Sequence, residues 1–340
     1  MHRVTICGGG ALGHVIAAWL SSRHDVEIRL LTGHPYRWNG TVRITEPHGM
    51  ELRGCITLAS SQPLEVIPQA EVVLLCLPGF LVRKELERIE PYLEPDAYVG
   101  SVFSSTGFFF EALRILSQTQ PLWGFQRVPF ISRVIKYGQE AVLLGYKDSL
   151  SVAVEHVNEA EKKSFRSMLE EWFEIPVKLL NNYYEASLTN SNPLLHTSRL
   201  FTMFGGSNEG RVYDRMILFY EEWTVEAAQL LIEMDKEFFT LLSVLPVTKG
   251  FLPSILDYYE SNDAVSLSVK LSSIKGFKGI SSPMVLSKNG WVADFSSRYF
   301  TEDFPFGLKY IWRLAHERSV NCPNIDRVYE WGMSHVSNIK

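Results

Sequence analysis

The chain has no basic block and no acidic tail. Its 33 Lys and Arg against 38 Asp and Glu leave a formal charge of −5 over 340 residues. That balance argues against a nucleic-acid partner and against a charged membrane surface. Long apolar runs are missing as well. The longest, Val72 to Val82, is broken by Pro78 and Gly79 and is too short to span a bilayer. The first strand-like run begins at residue 3, so no signal peptide is expected ahead of it. Cysteine is scarce: Cys7, Cys55, Cys76 and Cys322 show no metal-ligand spacing, so no metal is expected. Cys7 and Cys76 fall in predicted buried strands, where cysteine acts as a small apolar residue, and a reduced, cytoplasmic setting fits best. There is no internal repeat and no low-complexity segment.

What is present points to a globular chain of two domains, with 46% hydrophobic and 21% charged residues. The run Arg3-Val-Thr-Ile-Cys7 breaks into Gly8-Gly9-Gly10-Ala11-Leu12-Gly13, followed by helix formers. Strand, G-x-G-x-x-G and helix in that order form a dinucleotide-binding fingerprint. Gly8 permits a tight turn, Gly10 lets backbone approach a pyrophosphate, and Gly13 lets the helix pack closely on the strand. The pyrophosphate is then expected over free N–H groups at the helix start.

Periodicity extends the pattern. Val26 to Leu31 reads as a second strand, Thr41 to Leu58 as a hairpin-like insertion around Pro47-His48-Gly49, and Glu71 to Leu77 as a buried parallel strand ended by Pro78. Leu77 and Pro78 then lie on the cofactor side. Strand and helix alternate onward through helix Glu159 to Phe173, giving a doubly wound, Rossmann-type α/β domain. The Asn181-Asn182 turn signal divides residues 1–181 from a helical domain at 182–340, in which Asp214 to Leu245 is the longest helical pattern.

The sequence resembles the opine dehydrogenases (octopine, nopaline and related enzymes) over nearly its whole length, in patches. The N-terminal patches are the fingerprint, Leu74-Leu-Cys-Leu-Pro78, Gly107 and Pro129-Phe-Ile-Ser-Arg133. More specific are Asn190-Ser-Asn-Pro-Leu-Leu-His196, Phe219-Tyr-Glu-Glu222 and Arg298-Tyr-Phe-Thr-Glu-Asp-Phe-Pro-Phe-Gly307. The resemblance implies a nucleotide-binding domain joined to an all-helical one, with the active site in the cleft between them. It implies reductive condensation of an amino acid with a 2-oxo acid at the expense of NADH or NADPH. It makes His196 the catalytic histidine, Arg298 the holder of the 2-oxo acid carboxylate, Asp303 the acidic partner of the histidine, and Asn192 a neighbour of the nicotinamide.

The chemistry suits those residue types. A histidine titrates near neutrality and can pass protons between amine and carbonyl oxygen. A carboxylate on its other nitrogen fixes the tautomer, and a guanidinium clamps a carboxylate with two parallel bonds. Structural readings compete: Asn192-Pro193 also suits a helix start, and Arg298 with Asp303 also suits a surface ion pair. Phe219 to Glu222 reads as helix packing rather than catalysis. Arg133 is open between substrate binding and a strand end. Ser104 to Gly107 sits where a nicotinamide-side loop is expected.

An NAD site normally ends its second strand with an acid that binds the ribose hydroxyls. Here the sequence reads Leu31-Thr32-Gly33-His34, and Glu27 comes too early. Thr32, His34 and Arg37 are placed to receive a 2′-phosphate, which favours NADP over NAD. Two alternatives stand beside this reading: a 2-oxo or 2-hydroxy acid reductase of ketopantoate reductase type, and a non-catalytic dinucleotide-binding regulator. A homodimer is the default expectation among oligomers.

Overall fold

The computed structural model describes residues 1–104 and 107–336. Ser105 and Thr106, in the loop expected beside a nicotinamide, lie outside the described residues. The chain forms two compact units, Met1–Thr189 and Asn190–Lys340. The Asn181-Asn182 turn caps a short helix of the first unit: the Asn182 side chain accepts from the N–H groups of Tyr184 and Glu185.

The first unit runs β1 (His2–Cys7), α1 (Ala11–Arg23), β2 (Val26–Leu31), β3 (Thr41–Thr45), β4 (Glu51–Cys55), β5 (Leu58–Ser60), α2 (Pro63–Val66), β6 (Val72–Leu75), α3 (Gly79–Ile89), β7 (Tyr98–Ser101) and α4 (Phe108–Ile115). It continues with β8 (Leu122–Phe125), β9 (Phe130–Lys136), β10 (Glu140–Tyr146), β11 (Leu150–Glu155), α5 (Glu159–Phe173), β12 (Val177–Leu179) and α6 (Tyr183–Ser187). Eight strands form one sheet in the order β12-β11-β8-β7-β6-β1-β2-β5, parallel except where β11 meets β8. The chain winds outward from β1 in both directions, so β1 and β6 flank the topological switch point, where open α/β sheets bind ligands. Register brings the ends together: Cys7 pairs with Leu31 on one side and Leu75 on the other.

The insertion is larger than a hairpin. Strands β3 and β4 do pair antiparallel, but β10 joins β3 and β9 joins β10, giving a second sheet in the order β4-β3-β10-β9. It covers the outer face of α1. That explains why Gly13 through Leu20 are all buried, since a helix apolar all round must be enclosed on every side. Gly54 of β4 allows the close approach: a side chain there would strike the backbone of Ala18.

The second unit contains α7 (Asn192–Phe204), α8 (Val225–Ser243), α9 (Ile255–Tyr258), α10 (Ala264–Ser273), β13 (Met284–Ser287), β14 (Gly290–Ala293), α11 (Arg298–Thr301), α12 (Lys309–Glu317) and α13 (Pro323–Val336). It is helical apart from the β13–β14 hairpin, which stands where the sequence suggested only a loop. The long helix expected from Asp214 begins at Val225, because the Thr224 hydroxyl caps it by accepting from Ala227 N–H. Residues 214–223 are instead turns, tied down where Tyr213 bridges Trp291 and Leu218 bridges Ser281. Among the described residues, no helix is long and apolar enough to cross a membrane.

Candidate functional site

Two constellations stand out, one in each unit. In the first unit a cavity of about 420 Å³ opens at the ends of β1, β2 and β6. Gly8, Gly9, Gly10, Thr32, His34, Leu77 and Pro78 line it, as expected from the sequence. Gly8 has φ +119°, a left-handed value that favours glycine, and its N–H donates to Leu31 O at 2.9 Å. A Cβ on Gly13 would strike the carbonyl oxygen of Gly8, so the helix can approach the strand only with glycine there. Ala11, Leu12, Gly13 and Arg37 do not line the cavity; the first three start α1, and Arg37 lies in the short turn Pro35–Arg37.

The cavity suits a dinucleotide on the structure's own terms. Helix α1 has no side-chain cap on its first N–H groups and no acid in its first turn. A Cβ built on Gly10 would meet nothing within 4 Å, so the backbone there faces open space. Unsatisfied N–H groups beside open space form an anion site. Sequence reasoning missed several wall residues, among them Ser61, Lys84, Glu85, Arg88 and Tyr137. Arg88 is occupied by Glu85 (2.6 Å) and Ser61 O (2.9 Å), whereas Lys84 makes no ion pair among the described residues. Glu27, inside β2, is consumed by Arg3 and Arg29, whose bonds hold its carboxyl below the usual range against the opposing effect of burial.

His14 does not face the cavity. It is fully buried, donates from Nδ1 to Gly10 O (2.8 Å) and accepts on Nε2 from Gly138 N–H (2.7 Å). Burial lowers its pKa, so it stays neutral and acts as a brace.

In the second unit, His196 sits on α7, whose residues Pro193 to Phe201 are all buried. Its Nδ1 lies 2.7 Å from Asp303 Oδ2 and its Nε2 lies 2.8 Å from the Tyr220 hydroxyl. Asp303 is anchored by the turn on its C-terminal side. Phe304 is fully buried against Phe300 and Trp331, and the π-helical turn Phe304–Leu308 closes with Leu308 N–H on Asp303 O. A carboxylate only accepts, so Nδ1 carries the hydrogen and Nε2 presents its lone pair. Phe219, Tyr220 and Tyr299 pack edge-on around the imidazole, at centroid distances of 5.6, 6.2 and 4.8 Å.

Asn192 is the first residue of α7, one turn before His196, and Ser191 precedes the helix without a side-chain cap bond. Arg298 is 81% exposed and reaches Glu302 at 3.3 Å, while Asp303 turns to His196, so the two do not form the ion pair considered from sequence. Arg133 lies within β9 rather than at its end, and is exposed. Tyr220 was the omission. Its patch, Phe219 to Glu222, is a turn rather than a helix, and it brings a hydroxyl onto the histidine. Arg199, one turn beyond His196 on α7, holds that turn: it donates to Phe219 O (3.2 Å) and Glu222 O (2.6 Å). Burial brings the Arg199 guanidinium down to about 10.

Comparison with known proteins relates the chain as a whole to others. The family model for the alpha-helical domain of NAD/NADP octopine/nopaline dehydrogenases matches residues 179–336. An uncharacterized protein of Sinorhizobium fredii is 28% identical, covering 98% of this chain and 94% of its own length. The tauropine dehydrogenase of Arabella iricolor is 26% identical, covering 96% of this chain and 90% of its own. A solved structure of octopine dehydrogenase with NADH and L-arginine superposes with a TM-score of 0.85 at 23% identity, covering 99% of this chain and 90% of that one.

Proposed function

We infer that this chain, which belongs to the opine dehydrogenase family, is an NAD(P)-dependent oxidoreductase that reductively condenses an amine with a 2-oxo acid. The observation that carries the reading is the polarised histidine: His196 held at Nδ1 by Asp303, with Nε2 turned to a hydroxyl.

The residues divide the work. The glycine turn and the open first turn of α1 hold the dinucleotide's pyrophosphate, and Thr32, His34, Leu77 and Pro78 form the walls. When bound, the reduced nicotinamide supplies hydride. His196 shuttles protons for amine attack and for loss of water, a role worth ~10²–10⁴-fold in rate. Asp303 accepts the Nδ1 hydrogen, which fixes the tautomer that presents its lone pair on Nε2, and stabilises the imidazolium when it forms. Arg298 offers a guanidinium to the carboxylate of the 2-oxo acid, and Asn192, one turn before His196, offers an amide on the same helix face.

We favour NADP over NAD. The end of β2 carries no carboxylate to repel a 2′-phosphate. Lys84 is a cation in the cavity wall with no ion pair among the described residues, and the Arg37 guanidinium lies 6.0 Å from the ring of another wall residue, Tyr137.

The direct test is NADPH and NADH oxidation with a panel of 2-oxo acids, each with and without a panel of amino acids. Turnover that requires both substrates supports condensation. Turnover with the oxo acid alone replaces it with a simple reductase. Cofactor binding without any turnover across the panel counts against an enzyme of this type.

A further inference from the structure

Both nitrogens of His196 are engaged. Nδ1–H faces the Asp303 carboxylate, and the lone pair of Nε2 receives the Tyr220 hydroxyl at 2.8 Å. A substrate that needs Nε2 as its base meets an oxygen already there. Either the hydroxyl moves aside or the proton passes through it.

The first route is blocked by packing. The Tyr220 ring is stacked on Phe277 at 4.1 Å and 20°, and on Trp223 at 5.9 Å and 17°. Its backbone lies between two carbonyls that the buried Arg199 holds. Glu222 locks the turn further, accepting from Leu218 N–H at 2.8 Å and pairing with Arg215 at 2.7 Å. Burial, with the nearby Tyr299, Tyr259 and Asp303, pushes the phenol far above its ordinary value. Tyr220 therefore stays a phenol at neutral pH. It keeps one proton to give and a lone pair to receive another.

We propose that Tyr220 exchanges protons with the reacting substrate and that His196 acts through it. This rests on the condensation reading of the site. The incoming ammonium loses a proton to the Tyr220 oxygen while the Tyr220 proton moves to Nε2. The freed amine nitrogen bonds to the carbonyl carbon, and one N–H proton of the adduct moves to the former carbonyl oxygen. The imidazolium then returns its proton through the same hydroxyl to that oxygen. The C–O bond breaks, water leaves, and the nitrogen lone pair closes the C=N⁺ bond. The iminium carbon is left as the hydride acceptor.

The test is Tyr220→Phe, which keeps the stacked ring and removes only the hydroxyl. The kcat is expected to fall at least ~100-fold, the scale of a lost acid–base group. The Kd for NADPH and the circular dichroism spectrum should stay unchanged. A second measurement uses the wild type alone: kcat in mixtures of H₂O and D₂O should curve, as two protons in flight require. A variant that keeps its kcat to within about threefold overturns the relay. So does a linear wild-type isotope response, which decides the matter even where the variant fails to fold. Wild-type turnover without any amine overturns the condensation reading itself and is seen before the variant is made.

Discussion

The His196 imidazole and the Asp303 carboxylate are 107 residues apart in the chain and 2.7 Å apart in space. The bond fixes which nitrogen of the histidine is basic. Asp303→Asn places an amide there that can donate to Nδ1, turning the tautomer and leaving Nε2 protonated. The expected loss in kcat is ~10²–10⁴-fold, and His196→Ala should lose at least ~10²-fold. The Kd for the cofactor, measured by fluorescence titration, should be unchanged in both. Normal turnover in either variant would refute the assignment.

Gly13→Ala tests the glycine turn. Its methyl group would meet the Gly8 carbonyl, so α1 must shift off β1. Overpacking of this kind costs about 1–3 kcal/mol. A lower Tm together with weaker cofactor binding is expected, whereas weaker binding at unchanged Tm would place the effect outside packing.

Cofactor choice should follow the cations around the cavity. Lys84→Ala and Arg37→Ala are each expected to raise the KM for NADPH by about tenfold, near 1.4 kcal/mol, while sparing NADH. Parallel changes for the two cofactors would show that neither side chain reads the 2′-phosphate.

Asp235 sets a pH dependence of stability. It is buried on α8 and accepts from Ile255 N–H at 3.0 Å, and burial raises its pKa to about 6. The folded state therefore holds this proton more tightly than the unfolded state. Its contribution to stability is present below pH ~4 and is lost as pH rises through about 6, with each pKa unit worth ~1.4 kcal/mol. Asp235→Asn should stabilise the protein at pH 7 by about 1–3 kcal/mol, and the difference should vanish near pH 4. Urea melts of both proteins across that range provide the check.

Most of the main sheet of the first unit was legible, because strands such as Val72–Leu75 are apolar runs ended by Pro or Gly, as buried parallel strands read; β5 and β8 were not named as strands of it. Helix Glu159–Phe173 was legible to the residue, since Asn158 and Glu161 form a capping box. The second sheet was legible only in part: the β3–β4 hairpin and the strand at Ala141 to Gly145 were read, but not their assembly. Strands β9 and β10 show exposed Ile131, Ile135 and Leu144 and no clean alternation, so nothing local announces that they pair with β3. The β13–β14 hairpin hid for a similar reason, although Asn289-Gly290 is a hairpin signal. The helical period of Asp214 to Leu245 masked the Thr224 cap. With it went the role of Tyr220, which depends on a turn that places it 24 residues beyond its partner. His196 and Asp303 were found through motif resemblance, because no periodicity encodes a contact across 107 residues.

His14 gives the phosphate turn an unexpected dependence. One imidazole grips both the Gly10 carbonyl and the N–H of Gly138, in the bend joining β9 to β10. Tyr137, beside Gly138 in that bend, reaches Thr32 Oγ1 at 2.9 Å. The anion cradle is thus riveted to the small sheet behind α1. A lesion in the β9–β10 bend, remote in sequence from every glycine of the fingerprint, would loosen the cradle as surely as a change in the glycines themselves. Surveys of such chains for cofactor defects have reason to begin at that bend.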